Sequence, residues 1–180
     1  MKVSDRSGTP RVAIIHDWLT GMRGGEAVLE GMLELFPQAE IFTLLHVPGS
    51  VSPLISRHKI HTSLLKRVPG VIQRYRAFLP LMPRLIERFD LSGFDFILSS
   101  SHCVAKGIRK PPGVPHISYI HAPMRYLWHR YEDYFGPGRA SPHIRVAAKL
   151  FKNYLRNWDR KVSQADRVSL LIANSHYIAR

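Results

Sequence analysis

The first 46 residues alternate short apolar segments with a glycine-containing loop and an amphipathic segment. Residues 11–17 (RVAIIHD) follow a Gly-Thr-Pro breaker and are largely apolar, which is typical of a buried parallel strand. The loop TGMRGG leads into residues 26–36 (EAVLEGMLELF), where apolar residues recur at helical spacing before Pro37. Residues 40–46 (EIFTLLH) predict a second strand. This strand–loop–helix–strand unit opens a doubly wound α/β fold, and it constrains the chain more than any other feature.

The rest of the chain continues the alternation. Further strands are predicted at residues 58–62, 94–99, 116–121 and 168–173. Residues 63–89 are helical in composition but contain three prolines, so we expect short broken helices there. Residues 142–165 predict a long helix with a basic face. We therefore predict a single Rossmann-like domain, in which a parallel sheet is flanked by helices and ligands bind outside the carboxyl ends of the strands. The face of the first helix expected to pack on the sheet holds Val28, Met32, Leu35 and Phe36.

The sequence predicts three parts. Residues 1–10 are expected to be a disordered N-terminus, 11–175 the Rossmann-like domain, and 176–180 the start of a helix that is cut off. A chain of 180 residues is long enough for one such domain and too short for two. No apolar run approaches the roughly 20 residues that span a bilayer. The single cysteine, Cys103, fits a reducing cytoplasm and is expected to be a small buried residue.

The protein is strongly basic, and its charged residues are unevenly distributed along the sequence. The net charge is +13, from 26 Lys and Arg against 13 Asp and Glu. Residues 1–50 hold four basic and six acidic residues, whereas 51–90 hold eight and two, and 101–180 hold fourteen and four. Such a field attracts polyanions, which include nucleic acid, anionic lipid and phosphorylated substrates. The charge alone does not distinguish between them.

The loop before the first helix is the first candidate site. Its candidate residues are Gly21, Arg23, Gly24, Gly25 and Glu26. Adjacent glycines let the backbone approach a ligand closely, and the N-terminus of a helix favours an anion. The spacing is neither GxGxxG nor a Walker loop, which argues against a standard NAD or P-loop site. The alternative is a tight turn in which the glycines only supply positive φ.

Polar residues also stand where the fourth and fifth predicted strands end. His121 lies in the segment 120–128 (IHAPMRYLW), at the expected ligand edge, where the alternative is a structural histidine. The run SSSH at 99–102 precedes Lys106, and this loop suits contacts to hydroxyl or phosphate groups unless it is only a polar loop. Arg23, Lys106 and Arg125 are candidate contacts to the ligand.

The histidines do not predict a metal site. His58 and His61 are three residues apart and His16 adjoins Asp17, but no cluster of carboxylates accompanies them. A serine nucleophile is equally unsupported, since the sequence has no GxSxG elbow. We therefore expect neither a bound metal nor a cofactor.

Residues 56–89 interleave basic side chains with Leu, Ile, Val, Tyr and Phe. Such a segment can lie on an anionic membrane with its apolar side down. The alternative is a pair of core-packed helices with a solvated basic face. Nucleic acid is not an expected partner, because no nucleic-acid motif accompanies the basic residues. The residues predicted to face lipid are Lys66, Arg67, Arg74 and Arg76. The apolar side chains expected to insert, where the core leaves them free, are Leu65, Val71, Tyr75, Phe78 and Leu79.

Taken together, these segments resemble glycosyltransferase family 4, in particular its bacterial mannosyltransferase-like branch, which builds lipopolysaccharide O-antigen and exopolysaccharide. The resemblance runs in family order along nearly the whole chain. The matching stretches are VAIIHDWLTGMRGGEAVLEGMLELFP, IFTLL, LPLMPRLIERFDLSGFDFILSSSHCVAKGI, HISYIHAPMRYLWHRYEDYF and LLIANSHYIAR. Each stretch is weak alone, and their combination is specific.

The resemblance implies one half of a two-Rossmann (GT-B) enzyme that retains anomeric configuration without a metal. The N-terminal half recognises the acceptor, and the C-terminal half holds most of the nucleotide-sugar. By resemblance, Gly24 and Gly25 match the first-loop glycines that approach the donor pyrophosphate and the reacting centre. His121 matches the histidine that lines the sugar subsite, and Asn174 and Ser175 match the family's ANS motif.

The family's second domain, with its paired acidic residues, has no counterpart in these 180 residues. We therefore expect a fragment, a truncated product or half of a split enzyme that is inactive without a C-terminal domain supplied in cis or in trans. The predicted function is transfer of a mannose-like hexose from a nucleotide-sugar to a lipid-linked saccharide, at the inner face of the cytoplasmic membrane. The alternatives are half of a nucleotide-sugar 2-epimerase, which HAPMRYLW disfavours, and a non-catalytic basic module that binds anionic membrane or nucleic acid.

Overall fold

The structure is a computed structural model that describes residues 8–128 and 130–179. Residues 1–7 of the predicted disordered N-terminus lie outside the described residues. The strands are β1 (Val12–His16), β2 (Glu40–Thr43), β3 (Ile60–Thr62), β4 (Phe96–Ser101), β5 (His116–Ile120) and β6 (Leu170–Ala173). The α-helices are α1 (Gly24–Leu35), α2 (Pro53–Ser56), α3 (Val71–Arg74), α4 (Met82–Ile86), α5 (Tyr131–Phe135) and α6 (Pro142–Val162). Short 3₁₀ segments are Leu64–Arg67, Tyr75–Leu81 and Ala105–Gly107.

The six strands form one parallel sheet in the order β3-β2-β1-β4-β5-β6. This is the strand order of Rossmann folds. Strands β2 and β3 are added on one side of β1, and β4 to β6 are added on its other side. The predicted fold class, an α/β Rossmann-like domain with a parallel sheet flanked by helices, is confirmed. All six predicted strands are present, each within a few residues of its predicted bounds.

An apolar core covers each face of the sheet. Successive side chains of β1 point to opposite faces, so Val12 and Ile14 pack on the side of α1 and α2. Ala13 and Ile15 pack on the other side, with the segment that contains α3 and α4. A strand buried on both faces is apolar throughout, which explains the unbroken run in β1. Cys103 is free and buried in the second core, as the sequence predicts.

The packing face of α1 differs from the predicted one. Leu29 and Leu33 are fully buried against the sheet, and Met32 and Phe36 pack at the edge of this core. Leu35, which was expected to be buried, is 76% exposed. The helix carries apolar residues on two adjacent faces, so periodicity alone could not decide which one meets the sheet. The sheet selects the face that holds Leu29 and Leu33.

Residues 63–89 form the short broken helices that the prolines predict. Three of the side chains expected to insert into lipid belong to the core instead: Leu65, Val71 and Tyr75 are at most 8% exposed. They belong to the core because this segment covers one face of the sheet and must bury its own apolar residues. Phe78 and Leu79 are partly buried against the same core. Helices α2 and α5 were not predicted.

The last described elements are the most exposed. The first half of α6 carries exposed apolar residues, and its buried residues are confined to Leu155, Asp159 and Val162 near the end. Edge strand β6 also exposes apolar side chains. After β6, the carbonyl of Ser175 accepts hydrogen bonds from the N–H groups of Ile178 and Ala179, which closes one turn. Among the described helices, none is long and apolar enough to cross a membrane.

Candidate functional site

The carboxyl ends of β1, β4 and β5 meet next to the N-terminus of α1. His16 ends β1 and lies opposite Ser100 of the adjacent strand β4. His121 follows β5, and its N–H donates to the carbonyl of Ser101. In open α/β sheets, ligands bind at this edge, where the strand order reverses. The topology therefore brings together polar residues that are far apart in the sequence.

Gly25 is the point of closest approach between α1 and these histidines. A Cβ atom at Gly25 would lie 3.4 Å from His16 Cε1 and 3.8 Å from His121 Nε2. A Cβ atom at Gly24 would meet nothing within 4 Å. Neither glycine has a positive φ, so a left-handed turn does not explain them. A side chain at Gly25 would contact both imidazoles from its first carbon onward, whereas the Cβ of a side chain at Gly24 would contact neither.

A chain of polar side chains connects α1 to His121. Ser100 Oγ lies 3.1 Å from His16 Nδ1 and 2.8 Å from His121 Nε2. His16 Nε2 lies 3.7 Å from Glu26 Oε1, and the other oxygen of Glu26 accepts the N–H of Arg23 at 3.0 Å. His16, Ser100 and Glu26 are at most 5% exposed, and His121 is partly buried. Both ends of this series, Glu26 and His121, reach the cleft at this edge of the sheet, whereas His16 and Ser100 lie behind it.

Asp17 fixes the loop that forms another wall of the site. Its carboxylate is fully buried and accepts four backbone N–H groups, at 2.6–3.0 Å, from residues 102–105. His102 Nδ1 also lies 3.1 Å from Asp17 Oδ2. The ring of Trp18 packs edge-on against His102 at 4.6 Å. A buried carboxylate with several hydrogen-bond donors holds its loop in one conformation, so His102 and Trp18 present a fixed surface to the cleft.

Burial sets the ionisation of the site. Burial lowers the pKa of His121, and the nearby His16 and His102 lower it further, so the imidazole is neutral at neutral pH. Burial acts to raise the pKa of Glu26, but the interaction with His16 and the backbone N–H groups outweigh it and hold that pKa below its usual value. Glu26 is therefore ionised at neutral pH. His121 therefore offers a ligand a neutral imidazole, and the ionised carboxylate of Glu26 lies nearby.

These residues surround a cleft of about 430 Å³, which we call the carboxyl-edge cleft. Aromatic rings and hydrogen-bonding side chains make up most of its walls. The lining residues are Trp18, Arg23, Gly24, Gly25, Glu26, Val28, His102, Tyr119, His121 and Asn174. A combination of flat aromatic rings and hydrogen-bonding side chains suits a ligand that carries hydroxyl groups.

A larger cavity of about 640 Å³ lies at the opposite, amino ends of β1 to β4. Its central carboxylate, Glu40, is already paired with Lys59 at 3.0 Å, His61 at 2.6 Å and Arg11 at 3.3 Å. Burial acts to raise the pKa of Glu40, but hydrogen bonds from His61 and Lys59 lower it to about 2. We favour the smaller cleft as the site because its position follows the sheet topology and its imidazole edge is free to meet a ligand.

The structure separates the predicted site residues into two groups. Arg23, Gly24, Gly25, Glu26, His121 and Asn174 line the carboxyl-edge cleft. Four other predicted residues do not line it: Gly21, Lys106, Arg125 and Ser175.

The residues outside the cleft have clear structural roles or positions. Lys106 is 8% exposed, and its Nζ lies 2.9 Å from Asp159 Oδ1 of α6. The 3₁₀ turn after β4 directs Lys106 toward α6, so the sequence prediction of a ligand contact is not supported at this position. Arg125 is exposed in the turn after β5. Ser175 is exposed, and its Oγ donates to Asn174 Oδ1 at 3.1 Å.

His16 and Asp17 were not predicted as site residues, whereas Ser100 belongs to the SSSH run that was a candidate contact loop. A signal for His16 and Asp17 was present, because a buried apolar strand that ends in His-Asp carries polar groups to the ligand edge. Within residues 8–128 and 130–179, no group of three or more His, Cys, Asp or Glu side chains is arranged to hold a metal ion.

Comparison with known proteins yields little. No protein-family model matches the chain, and no curated protein matches it. The solved apo structure of a lipopolysaccharide outer core galactosyltransferase, WaaB, is similar with a TM-score of 0.37 and 16% sequence identity. The match covers 62% of this chain and 33% of that one, so the chain spans about a third of that structure's length. The resemblance to glycosyltransferase family 4 remains a prediction.

Proposed function

We propose that this chain is the acceptor-side, Rossmann-like domain of a retaining glycosyltransferase, the N-terminal half of a GT-B architecture. It would act in the transfer of a mannose-like hexose from a nucleotide-sugar to a lipid-linked saccharide. The observation that carries the proposal is the approach of Gly25 to His16 and His121 at the carboxyl edge of the sheet, at 3.4 Å and 3.8 Å from the glycine's Cβ position. The backbone of α1 thereby leaves space in front of a neutral imidazole.

The chemistry of the carboxyl-edge cleft supports a saccharide ligand. Sugars carry hydroxyl groups that hydrogen-bond to neutral imidazoles, and their C–H faces pack on rings such as those of Trp18 and Tyr119. Arg23 is the N-cap residue of the 12-residue helix α1, at the rim of the same cleft. A helix N-terminus and a guanidinium both favour phosphate, which suits the pyrophosphate of a nucleotide-sugar. The remaining donor contacts would come from a second domain, in cis or in trans.

We further propose that the protein binds peripherally to the cytoplasmic membrane through a basic surface on residues 64–81. Its four predicted cations, Lys66, Arg67, Arg74 and Arg76, are all exposed. The exposed apolar side chains between and beside them differ from those predicted, and they are Leu64, Val68, Ile72 and Leu81. Each cation near an anionic surface contributes about 1 kcal/mol, so four give roughly 4 kcal/mol, a reversible attraction.

Helix α6 supports an extension of this basic surface. Leu150, Phe151 and Tyr154 line an apolar groove of about 480 Å³ together with Leu81. Leu150 and Phe151 are 72% and 42% exposed. Arg145, Lys149 and Lys152 lie on the opposite, polar face of the helix, at helical spacing. An amphipathic helix with this pattern suits the interface of an anionic bilayer.

Vesicle sedimentation tests the membrane proposal. We expect salt-sensitive binding to anionic vesicles and weak binding to neutral ones, because the attraction is mainly electrostatic. The quadruple variant K66Q/R67Q/R74Q/R76Q should lose most of the binding and keep the thermal unfolding temperature of the wild type. Equal binding to neutral and anionic lipid, or unchanged binding by the quadruple variant, would show that this segment is a solvated face.

The enzymatic proposal is tested with the product of the complete reading frame that contains these residues. Labelled nucleotide-sugars are incubated with the protein and a lipid-linked saccharide, and label in the lipid fraction is measured. Acceptor-dependent transfer supports the proposal. Interconversion of the nucleotide-sugar without an acceptor would identify a 2-epimerase. Binding to vesicles without consumption of any nucleotide-sugar would identify a non-catalytic basic module.

A further inference from the structure

Ser100 couples the protonation of two histidines. Its Oγ lies within hydrogen-bond distance of His16 Nδ1, at 3.1 Å, and of His121 Nε2, at 2.8 Å. A hydroxyl group has one proton, so it donates to one imidazole nitrogen and accepts from the other. The nitrogen that carries the proton in His16 therefore decides which nitrogen carries it in His121.

Glu26 sets the direction of this coupling. One carboxylate oxygen is committed to the N–H of Arg23, and the other faces His16 Nε2 at 3.7 Å. This separation is longer than an ordinary hydrogen bond, so the contact is electrostatic. His16 is fully buried and Glu26 is 5% exposed, so solvent does not screen the contact. A nitrogen lone pair facing a buried carboxylate is repelled, whereas an N–H group is attracted, and this places the proton of His16 on Nε2.

The position of that proton determines the hydrogen bonds of Ser100 and His121. When His16 carries this one proton, its Nδ1 accepts the hydroxyl proton of Ser100, and the Ser100 oxygen accepts an N–H from His121 Nε2. His121 is left with an unprotonated Nδ1, which makes no hydrogen bond to the part of the chain that the structure describes. We propose that Glu26, His16 and Ser100 are positioning residues that hold His121 in its Nε2–H tautomer, so that Nδ1 accepts a hydrogen bond from a hydroxyl group of the ligand.

This arrangement selects the ligand group that meets His121. A neutral acceptor nitrogen binds a hydroxyl donor and repels a carboxylate or phosphate oxygen. The inference rests on the proposed function only for the identification of that donor as a sugar hydroxyl. The ionisable groups that face His121 are His16, His102, Asp17, Glu26 and Tyr119. Of these, His16 and Glu26 belong to the hydrogen-bonded series Glu26–His16–Ser100–His121, which we call the relay. The carboxylate of Asp17 is occupied by backbone N–H groups.

Nitrogen NMR of the full chain labelled with ¹⁵N-histidine tests the proposal without any substrate. A protonated imidazole nitrogen and an unprotonated one resonate far apart, and their couplings to ring protons identify Nδ1 and Nε2. The signals of His121 are assigned by their loss in His121→Gln. At neutral pH we expect protonated Nε2 and unprotonated Nδ1 for His121. A proton on Nδ1 would overturn the proposal.

The variant Glu26→Gln should reverse the relay. Its side-chain oxygen would take the N–H of Arg23, so its amide NH₂ would face His16 Nε2. His16 would then be protonated on Nδ1, Ser100 would donate to His121 Nε2, and the proton of His121 would move to Nδ1. An unchanged His121 tautomer in a folded Glu26→Gln protein would overturn the direction that we assign.

Ser100→Ala and Ser99→Ala form a matched pair on the same strand. Ser100→Ala breaks the relay, so the His121 signals should move toward a mixture of both tautomers. Ser99 points to the other face of the sheet, where its Oγ lies 2.9 Å from His116 Nε2. Ser99→Ala should shift the His116 signals and leave those of His121 unchanged. Identical His121 signals in the wild type and Ser100→Ala would overturn the relay.

The outcomes separate this inference from the proposed function. A wrong tautomer overturns the relay and does not depend on whether sugar is transferred. The expected tautomer in a protein whose complete gene product consumes no nucleotide-sugar leaves the relay in place and overturns the transferase. The relay is thus judged on nitrogen protonation alone.

Discussion

The carboxyl-edge cleft and the basic surface on residues 64–81 carry polar groups in opposite ways. Behind the cleft, His16, Asp17 and Ser100 are fully buried, and each has partners at defined distances. On the basic surface, the cations Lys66 and Arg67 are exposed among apolar side chains. The cleft depends on the placement of single atoms, whereas the surface depends on a sum of charges.

This difference predicts how each region responds to change. Buried polar groups lose much when one partner is removed, because the other is left without compensation. Exposed charges each contribute little and are screened by salt. Single substitutions at buried positions should therefore have large effects that salt does not alter, and those on the basic surface should have small effects that salt reduces.

Lys106→Met should give the largest effect, because it leaves the buried carboxylate of Asp159 without its cation. Both side chains are at most 10% exposed. We expect a loss of about 3–5 kcal/mol in the free energy of unfolding, measured by urea denaturation. The double variant K106M/D159N should recover part of it, because its asparagine is uncharged and still accepts the Trp128 indole N–H. A stability equal to wild type in Lys106→Met would contradict the buried ion pair.

Acid should destabilise the fold through His116, whose side chain lies on the face of the sheet opposite that of Ser100. Burial lowers its pKa from 6.5 to about 4. Between these values the unfolded state binds a proton that the folded state does not, so stability falls as pH drops from 6.5 to 4, by roughly 3 kcal/mol. In His116→Asn, the dependence of unfolding free energy on pH should be shallower over this window. Parallel curves for the two proteins would show that His116 does not titrate in this way.

Gly25→Val should lower sugar transfer by the complete gene product about 10²-fold, because its methyl groups would displace ligand from His121. The matched control is Gly31→Val on the same helix, outside the cleft, where an added Cβ meets nothing within 4 Å. We expect Gly31→Val to fold and to transfer sugar at close to the wild-type rate. Equal losses in both variants would show that the cleft does not depend on the close approach at Gly25.

Lys66→Gln should give the smallest effect, since one exposed cation contributes about 1 kcal/mol to membrane attraction, or about a fivefold change in affinity. The effect should fade as salt is raised. Arg57→Gln removes the same charge next to α2, on the other face of the sheet, and should not change vesicle binding. A similar loss in both variants would mean that net charge alone governs the attraction.

The sheet could be predicted because each strand carries its own local pattern. Apolar runs such as residues 11–17 identify strands that are buried on both faces, and the alternation with helices implies parallel order. The packing face of α1 could not be predicted, because apolar residues occupy two of its faces and only the sheet distinguishes them. The core positions of Leu65, Val71 and Tyr75 depend in the same way on which face of the sheet their segment covers.

Half of the candidate site could be predicted from strand ends. Gly25 and His121 each follow a predicted strand, so the sheet topology places them together. The contact between His16 and Ser100 joins residues 84 apart, and it exists because β1 and β4 are neighbours. Strand order is not encoded in either segment alone. Lys106 was predicted to contact the ligand because it is a cation near a strand end. Its partner is instead Asp159 of α6, and the local sequence around Lys106 does not indicate that contact.

The most direct test of the central claim compares sugar transfer in two settings, with the complete gene product and a lipid-linked saccharide. One setting uses neutral detergent micelles, and the other uses anionic vesicles. The account predicts that His121→Ala loses transfer in both settings, whereas K66Q/R67Q/R74Q/R76Q loses it only on vesicles. Wild-type transfer by His121→Ala, or no consumption of any nucleotide-sugar by the unaltered protein, would contradict the account.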